Sequence, residues 1–263
     1  MKESSLLLFL LPFIATAASP FAIHGGGVPV NVAAKSLAAL TGMNGSYMAL
    51  NPESAGEKLY HLSKEDISPT VARLIRNNGM SALSLATTNA LLAHANVKPS
   101  TAIAAGLIPR LIVLLCHYYA DIPVRMSLDG LVPGYILQIA CAMSLVKSKW
   151  IDSAVAMKIM SFFYISAGLG LSVAPKTLSK QLLRLDDATE VEQRCLRAQG
   201  KTDLINGVLV WALSIGQDFP RAMGLSCLAW IAAIIYSDFF VAGTSREAIT
   251  QLLISGLSAG ILL

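Results

Sequence analysis

Charge is what this chain lacks most. Only 14% of its 263 residues are Asp, Glu, Lys or Arg, whereas a soluble domain carries about a quarter. The net charge of +4 is spread along the chain, and no Lys/Arg cluster alternates with aromatic residues. A nucleic-acid-binding surface needs such a cluster. We therefore predict no nucleic-acid partner.

Motifs that carry chemistry are also scarce. The four cysteines form no Cys-x-x-Cys pair and no Cys/His spacing suited to zinc. The sequence contains no Ser-His-Asp order, no phosphate-binding glycine loop and no histidine box. We predict neither a metal nor a cofactor, we name no catalytic residues, and we lean away from an enzyme.

Long apolar blocks fill most of the chain instead. Apolar residues make up 54% of the sequence and the mean hydropathy is +0.60, with Leu, Ala, Ile, Gly and Ser dominating the blocks. This composition is typical of transmembrane helices. The sequence therefore predicts an all-α polytopic membrane protein whose first partner is the lipid bilayer.

The N-terminus reads as a secretory signal peptide, residues 1–18. Lys2 opens it, Leu6–Ile14 is an apolar core too short to cross a bilayer, and Ala15-Thr16-Ala17 has the small-x-small pattern of a cleavage site. We predict a membrane of the secretory or endomembrane system. The alternative is a plastid membrane in an alga with complex plastids, because plastid-targeting sequences in such algae also begin with a signal peptide.

One stretch of the sequence returns later in the chain. Arg76-Asn77-Asn78-Gly79 is answered by Arg197-Ala198-Gln199-Gly200. Around them further positions match in order: Leu83 with Leu204, Leu92 with Leu213, Pro99 with Pro220, Gly45 with Gly168, and Pro52 with Pro175. We interpret this as a tandem duplication of one helical unit. Residues 30–147 are called the first unit below, and residues 153–263 the second unit.

The apolar blocks divide into about eight predicted spans, four in each unit. They are Val30–Leu50, Val71–His94, Pro99–Tyr119, Leu128–Val146, Ser153–Ala174, Arg197–Ile215, Arg221–Phe240 and Arg246–Leu262. An even number of spans per unit gives both units the same orientation. If the first block does not span, the alternative is seven spans in a three-one-three plan. That plan resembles the SWEET sugar transporters, whose Pro-Gln signature this chain lacks.

The charges in the loops give the predicted orientation. With the N-terminus in the lumen, the lumenal loops carry only Lys98, Lys147, Lys149 and Arg221, and the other loop cations face the cytosol. This bias obeys the positive-inside rule. The connections Pro52–Thr70 and Pro175–Arg194 are then cytosolic. In the second, Lys176, Lys180 and Arg184 recur every four residues, which predicts a basic amphipathic surface helix or, with equal weight, a solvated linker.

Two arginines occupy equivalent places in the repeat. Arg76 lies three residues before Gly79, and Arg197 lies three before Gly200, so each pair shares one helix face. We expect the arginines to reach the cytosolic headgroups while the glycines admit a neighbouring helix. The alternative is a pair of symmetric anion or headgroup sites.

Arg110 and Asp203 break the repeat. Arg110 lies midway along the third span and is matched by Ile231, whereas Asp203 is matched by Ala82. A charge at that depth costs about 2.5–3.5 kcal/mol or more and needs a partner. We therefore predict that Arg110 and Asp203 form a buried ion pair joining the two units, as a binding or specificity site.

The unit resembles a known membrane family. Pro52, Leu59-Tyr60, Arg76 and Gly79, repeated as Pro175, Leu182-Leu183, Arg197 and Gly200, resemble the pattern of the small four-helix DoxX-like membrane proteins and, more distantly, of the four-helix ergosterol-biosynthesis scaffold family. We predict a non-enzymatic scaffold or assembly factor that holds other membrane proteins. The alternative function is a carrier or binder of a small lipophilic or anionic molecule between the units.

Overall fold

Proline and capping side chains decide where the helices begin. In the computed structural model, Pro52 and Pro175 begin helices. Proline is suited to this position because the backbone N–H that it lacks would have no helical acceptor there. The Asp152 carboxylate accepts hydrogen bonds from the N–H groups of residues 154 and 155 at 2.9 and 3.3 Å. Thr189 and Glu192 form a reciprocal capping box.

The structure describes residues 30–94, 97–119, 125–127, 129–147 and 151–236, together with 252, 253, 255 and 256. Over this part of the chain all regular structure is helical, so the all-α prediction is confirmed there. The α-helices are α1 (Val30–Leu50), α2 (Pro52–Leu59), α3 (Pro69–His94), α4 (Pro99–Tyr119), α5 (Val132–Lys147), α6 (Ser153–Val173), α7 (Pro175–Leu183), α8 (Glu190–Ser214) and α9 (Phe219–Ile234). Short 3₁₀ turns lie at Lys64–Asp66 and Asp129–Leu131.

Several predicted bounds need correction. Helix α8 begins at Glu190 and not at Arg197, because the Thr189 capping box starts the helix before the apolar block does. Helix α5 begins at Val132, after the 3₁₀ turn, and not at Leu128. The signal peptide (1–18), nearly all of the predicted span Arg246–Leu262 and the end of the span before it lie outside the described residues.

The predicted basic helix over 176–194 is also shorter than expected. Helix α7 ends at Leu183, and Arg184 adopts a left-handed conformation with φ of 48°. Arg184 therefore does not continue the face of Lys176 and Lys180. His61, which follows α2, has φ of 52°, so the two connections turn in the same way at equivalent places.

Helices α3 and α8 form the centre of the fold. No described side chain from Thr70 to Ala93 is exposed, and only three side chains of α8 are. Each central helix crosses one partner at a pair of glycines. A Cβ added at Gly79 would lie 2.7 Å from the carbonyl oxygen of Gly45 on α1, and one added at Gly200 would lie 2.8 Å from that of Gly168 on α6. Only glycine permits this approach of two backbones.

The outside of the bundle is largely apolar, with Lys35 on α1 and Lys158 on α6 as exposed exceptions, whereas the connections are charged. Exposed side chains on α4, α5 and α6 include Ile108, Ile112, Ile136, Val146, Phe162 and Leu169. Those on α2 and α7 include Glu53, Glu57, Lys58, Lys176 and Lys180. Two helical segments, Asp129–Lys147 and Ser153–Val173, are long and apolar enough to cross a membrane, and Pro99–Val113 and Phe219–Ile234 are shorter apolar helices. The central helices are less apolar because their polar side chains face protein.

Candidate binding site

The interface between α3 and α8 is polar. The Thr202 hydroxyl on α8 donates a hydrogen bond to the Asn78 Oδ1 on α3 at 2.9 Å. The Asn206 amide on α8 donates to the Ser81 carbonyl on α3 at 3.4 Å. A buried polar group is costly unless it has a partner, so these bonds fix how the two helices meet.

Arg110 and Asp203 meet beside this interface. The Arg110 Nη2 donates to the Asp203 Oδ1, and the residues are 6% and 3% exposed. The predicted pairing of Arg110 with Asp203 is confirmed. Ser81 also hydrogen-bonds the Asp203 carboxylate, and the guanidinium lies 4.4 Å from the centre of the Tyr164 ring on α6. The pair therefore joins α4 of the first unit to α8 of the second.

A cavity of about 40 Å³ with a mixed polar and apolar wall lies next to the pair. Its wall includes polar side chains from five helices: Asn77, Arg110, Tyr135, Gln138, Tyr164, Gln199 and Asp203. Apolar side chains complete it: Leu131, Phe163, Ala167, Leu171, Leu182, Leu183 and Leu196. Both units thus contribute to one site.

Three of the residues in this wall each carry a buried polar atom that makes no hydrogen bond within the described part of the chain. These atoms are the Asn77 Oδ1, the Gln138 Oε1 and the Arg110 Nε. Asn77 is 7% exposed and Gln138 is 2% exposed. Leaving a buried donor or acceptor without a partner costs about 1–3 kcal/mol each. Three residues of one cavity wall thus carry buried polar atoms without partners, which is unusual in a folded protein.

The equivalent position in the first unit carries a larger side chain. Leu183, which lines the cavity, is matched by Tyr60, whose side chain is buried. The Tyr60 hydroxyl accepts from the Asn78 amide at 2.6 Å and donates to the Met48 sulfur at 3.7 Å. Burial raises the pKa of the Tyr60 phenol above its ordinary value, so the group stays a neutral hydroxyl. The two units therefore differ at this place.

Arg76 and Arg197 lie away from the cavity wall. The Arg76 Nε donates to the Ala49 carbonyl at 3.2 Å, which satisfies an acceptor in the last turn of α1. The half-buried Arg197 makes no hydrogen bond through its Nε among the described residues. These two predicted site residues are thus not brought together with Arg110 and Asp203.

The prediction missed most of the polar wall. Asn77 lies inside the repeated stretch, and its counterpart in the second unit is Ala198. A polar residue matched by an apolar one is the same signal that identified Asp203. Gln138 is an amide in the middle of an apolar span, which is a second available signal. No pattern in the sequence marks Tyr135 or Tyr164 as residues of the same wall, and Tyr164 lies near the middle of its span.

None of the described cysteines is among the residues that line this cavity. Cys141, Cys195 and Cys227 are buried free thiols. Burial raises the pKa of the Cys195 thiol to about 12. Because the thiolate is the reactive form, native Cys195 should resist alkylation at neutral pH and become reactive only on unfolding. These cysteines can therefore report the loss of native structure.

Comparison with known proteins adds no functional assignment. The chain matches no protein-family model, no curated protein and no solved structure. The resemblance to DoxX-like proteins stays a prediction.

Proposed function

We propose that this chain is an integral membrane protein with eight spans in two tandem four-helix units of the same orientation. The glycine crossings of α1 with α3 and of α6 with α8 support a duplication, as do the matching turns at His61 and Arg184. The apolar outside and the charged connections support placement across a bilayer. The secretory or endomembrane location, or a plastid membrane instead, belongs to this proposal.

The orientation gives a first test. Glu65 and Gln181 are exposed and lie in the two connections, and Lys98 is exposed in the loop before α4. In a variant without native cysteines, Glu65→Cys and Gln181→Cys should both react with a membrane-impermeant maleimide added to the cytosolic side of sealed vesicles. Lys98→Cys should react only from the other side. Opposite accessibility of Glu65→Cys and Gln181→Cys would rule out two units of the same orientation.

We further propose that the protein binds or carries a small molecule in the cavity between the units. The observation behind this proposal is the set of three unpartnered polar atoms around that cavity, beside an ion pair that joins the units. A cavity built only for packing has an apolar wall and stays dry. This wall instead includes three side chains with unpartnered polar atoms, two acceptors and one donor.

Tyrosine at position 183 offers a test that uses the protein's own repeat. The first unit accommodates Tyr60 at the matching place, so Leu183→Tyr should fill the cavity with the fold retained. Native mass spectrometry of protein extracted in mild detergent should show a bound small molecule on the wild type. We expect at least tenfold less of it on Leu183→Tyr.

The matched control is Gln181→Tyr, which adds the same ring to an exposed position of α7. This variant should keep the bound molecule. Equal occupancy of all three proteins, or no bound molecule on the wild type, would contradict a binding function of this cavity.

The scaffold function stays a second proposal. The exposed apolar side chains of α5 and α6, with Phe162 75% exposed, offer surface for another membrane protein, but lipid contact requires the same surface. Affinity purification in mild detergent distinguishes the two proposals. A partner that is retained equally by wild type and Leu183→Tyr would favour the scaffold.

A further inference from the structure

We propose that the cavity takes an uncharged polyol group, the glycerol-type head of a neutral lipid or a free polyol of that size. This inference rests on the proposed binding function and adds the chemical class of the ligand. It follows from the charge, the hydrogen-bonding groups and the size of the cavity.

The charge of the wall excludes an ionic ligand. Arg110 and Asp203 neutralise each other, and the other ionisable side chains in the wall are the tyrosines Tyr135 and Tyr164. Tyrosine phenols are protonated at neutral pH. A phosphate, carboxylate or ammonium group would therefore enter a buried site without a counter-charge, which carries a large desolvation penalty.

The unpartnered atoms determine which hydrogen-bond donors and acceptors the ligand must supply. Asn77 Oδ1 and Gln138 Oε1 accept hydrogen bonds, and Arg110 Nε donates one. The ligand must supply two donors and one acceptor. Adjacent hydroxyl groups supply both, because each hydroxyl has one donor and two acceptor sites. Gln199 and the tyrosine hydroxyls in the same wall add more polar partners than a single carboxamide would use.

The cavity is small and has room for the hydroxyl groups of a short polyol, whose carbons would then lie toward the apolar part of the wall. Its 40 Å³ holds about three water-sized groups, since one such group needs roughly 10–15 Å³ on this measure. Next to the polar atoms, Phe163 and Leu171 offer apolar contact, and the half-buried Leu131 and Leu182 lie at the edge of the wall. An acyl chain attached to the polyol would contact these side chains.

The test compares four probes on purified protein in glycerol-free detergent buffer. The probes are a short-chain monoacylglycerol, free glycerol, the same lipid carrying a phosphate, and a fatty amide of equal chain length. The readout is the unfolding midpoint followed with a thiol-reactive dye, which the buried cysteines report. The variants are Gln138→Leu, which removes one acceptor, and Gln181→Leu as the exposed control.

The monoacylglycerol should raise the midpoint of wild type and Gln181→Leu saturably, and Gln138→Leu should need at least tenfold more of it. Saturable stabilisation by free glycerol alone would show that the polyol is the whole ligand. Equal or tighter binding of the phosphate lipid or of the amide would overturn the polyol class.

The experiments distinguish a wrong ligand class from a wrong binding function. If no probe binds while Leu183→Tyr still loses the co-purified molecule, the ligand class is wrong and the site is right. If Leu183→Tyr loses nothing either, the binding function itself fails.

Discussion

Removing one charge of the Arg110–Asp203 pair should destabilise the protein by about 3–5 kcal/mol, because the other charge is left buried without a partner. Arg110→Leu and Asp203→Leu should therefore each lower the unfolding midpoint strongly. The double variant should recover much of the loss, since two apolar side chains can occupy the same volume at little cost. The unfolding midpoint in detergent, reported by the buried cysteines, measures all four proteins.

The pattern of the four measurements matters more than any single one. A pair in contact gives a double effect much smaller than the sum of the single effects. If the two losses simply add, Arg110 and Asp203 are not coupled, and the contact between α4 and α8 does not hold the units together. Arg76→Leu is a suitable comparison, because Arg76 accounts for one hydrogen bond to Ala49 and should lose far less.

Gly45→Ala should also be severely destabilising, although it adds a single methyl group. The new Cβ would lie 2.9 Å from both the Gly79 carbonyl oxygen and the Leu83 nitrogen, so the backbones of α1 and α3 must separate. Overpacking commonly costs about 1–3 kcal/mol, and here the obstacle is backbone that no rotamer change can move. We expect a loss at the upper end of that range or beyond, measured as the unfolding midpoint.

The matched control lies one turn away on the same helix. A Cβ added at Gly42 would be 3.5 Å from the nearest atom, the Ala86 Cβ, which is an ordinary contact. Alanine also favours a helix over glycine by about 1 kcal/mol. Gly42→Ala should therefore be neutral or stabilising. Equal effects of Gly42→Ala and Gly45→Ala would show that the glycine crossing does not set the spacing of the helices.

Sequence patterns predicted the helices and the ion pair for identifiable reasons. Apolar blocks bounded by prolines predicted α1, α4 and α6 nearly to the residue, because Pro99 begins α4 and because α1 and α6 end just before Pro52 and Pro175. Comparing the two halves found Arg110 and Asp203, because each replaces an apolar residue of the other copy. Two opposite charges that are both buried in one fold are expected to pair, because each needs a counter-charge.

Other features depend on contacts that a linear pattern does not contain. The early start of α8 comes from a capping box in a charged stretch, and the pattern of apolar blocks does not include that stretch. The cavity has Leu183 in its wall where the first unit has Tyr60, and only the packed structure shows which other side chains surround this position. The polar faces of α3 and α8 likewise make sense only once the two helices are seen to face each other.

The contact between Arg110 and Asp203 also has a consequence for biogenesis. The two residues are 93 positions apart, and translation adds about 5–20 residues per second. If the chain enters the bilayer as it is made, Arg110 reaches the membrane roughly 5–20 s before its carboxylate exists. During that interval α4 can satisfy its guanidinium only by placing it near the lipid headgroups. On the proposed placement across a bilayer, the first unit would reach its final depth only when the second unit arrives, and neither half would be a self-sufficient insertion unit.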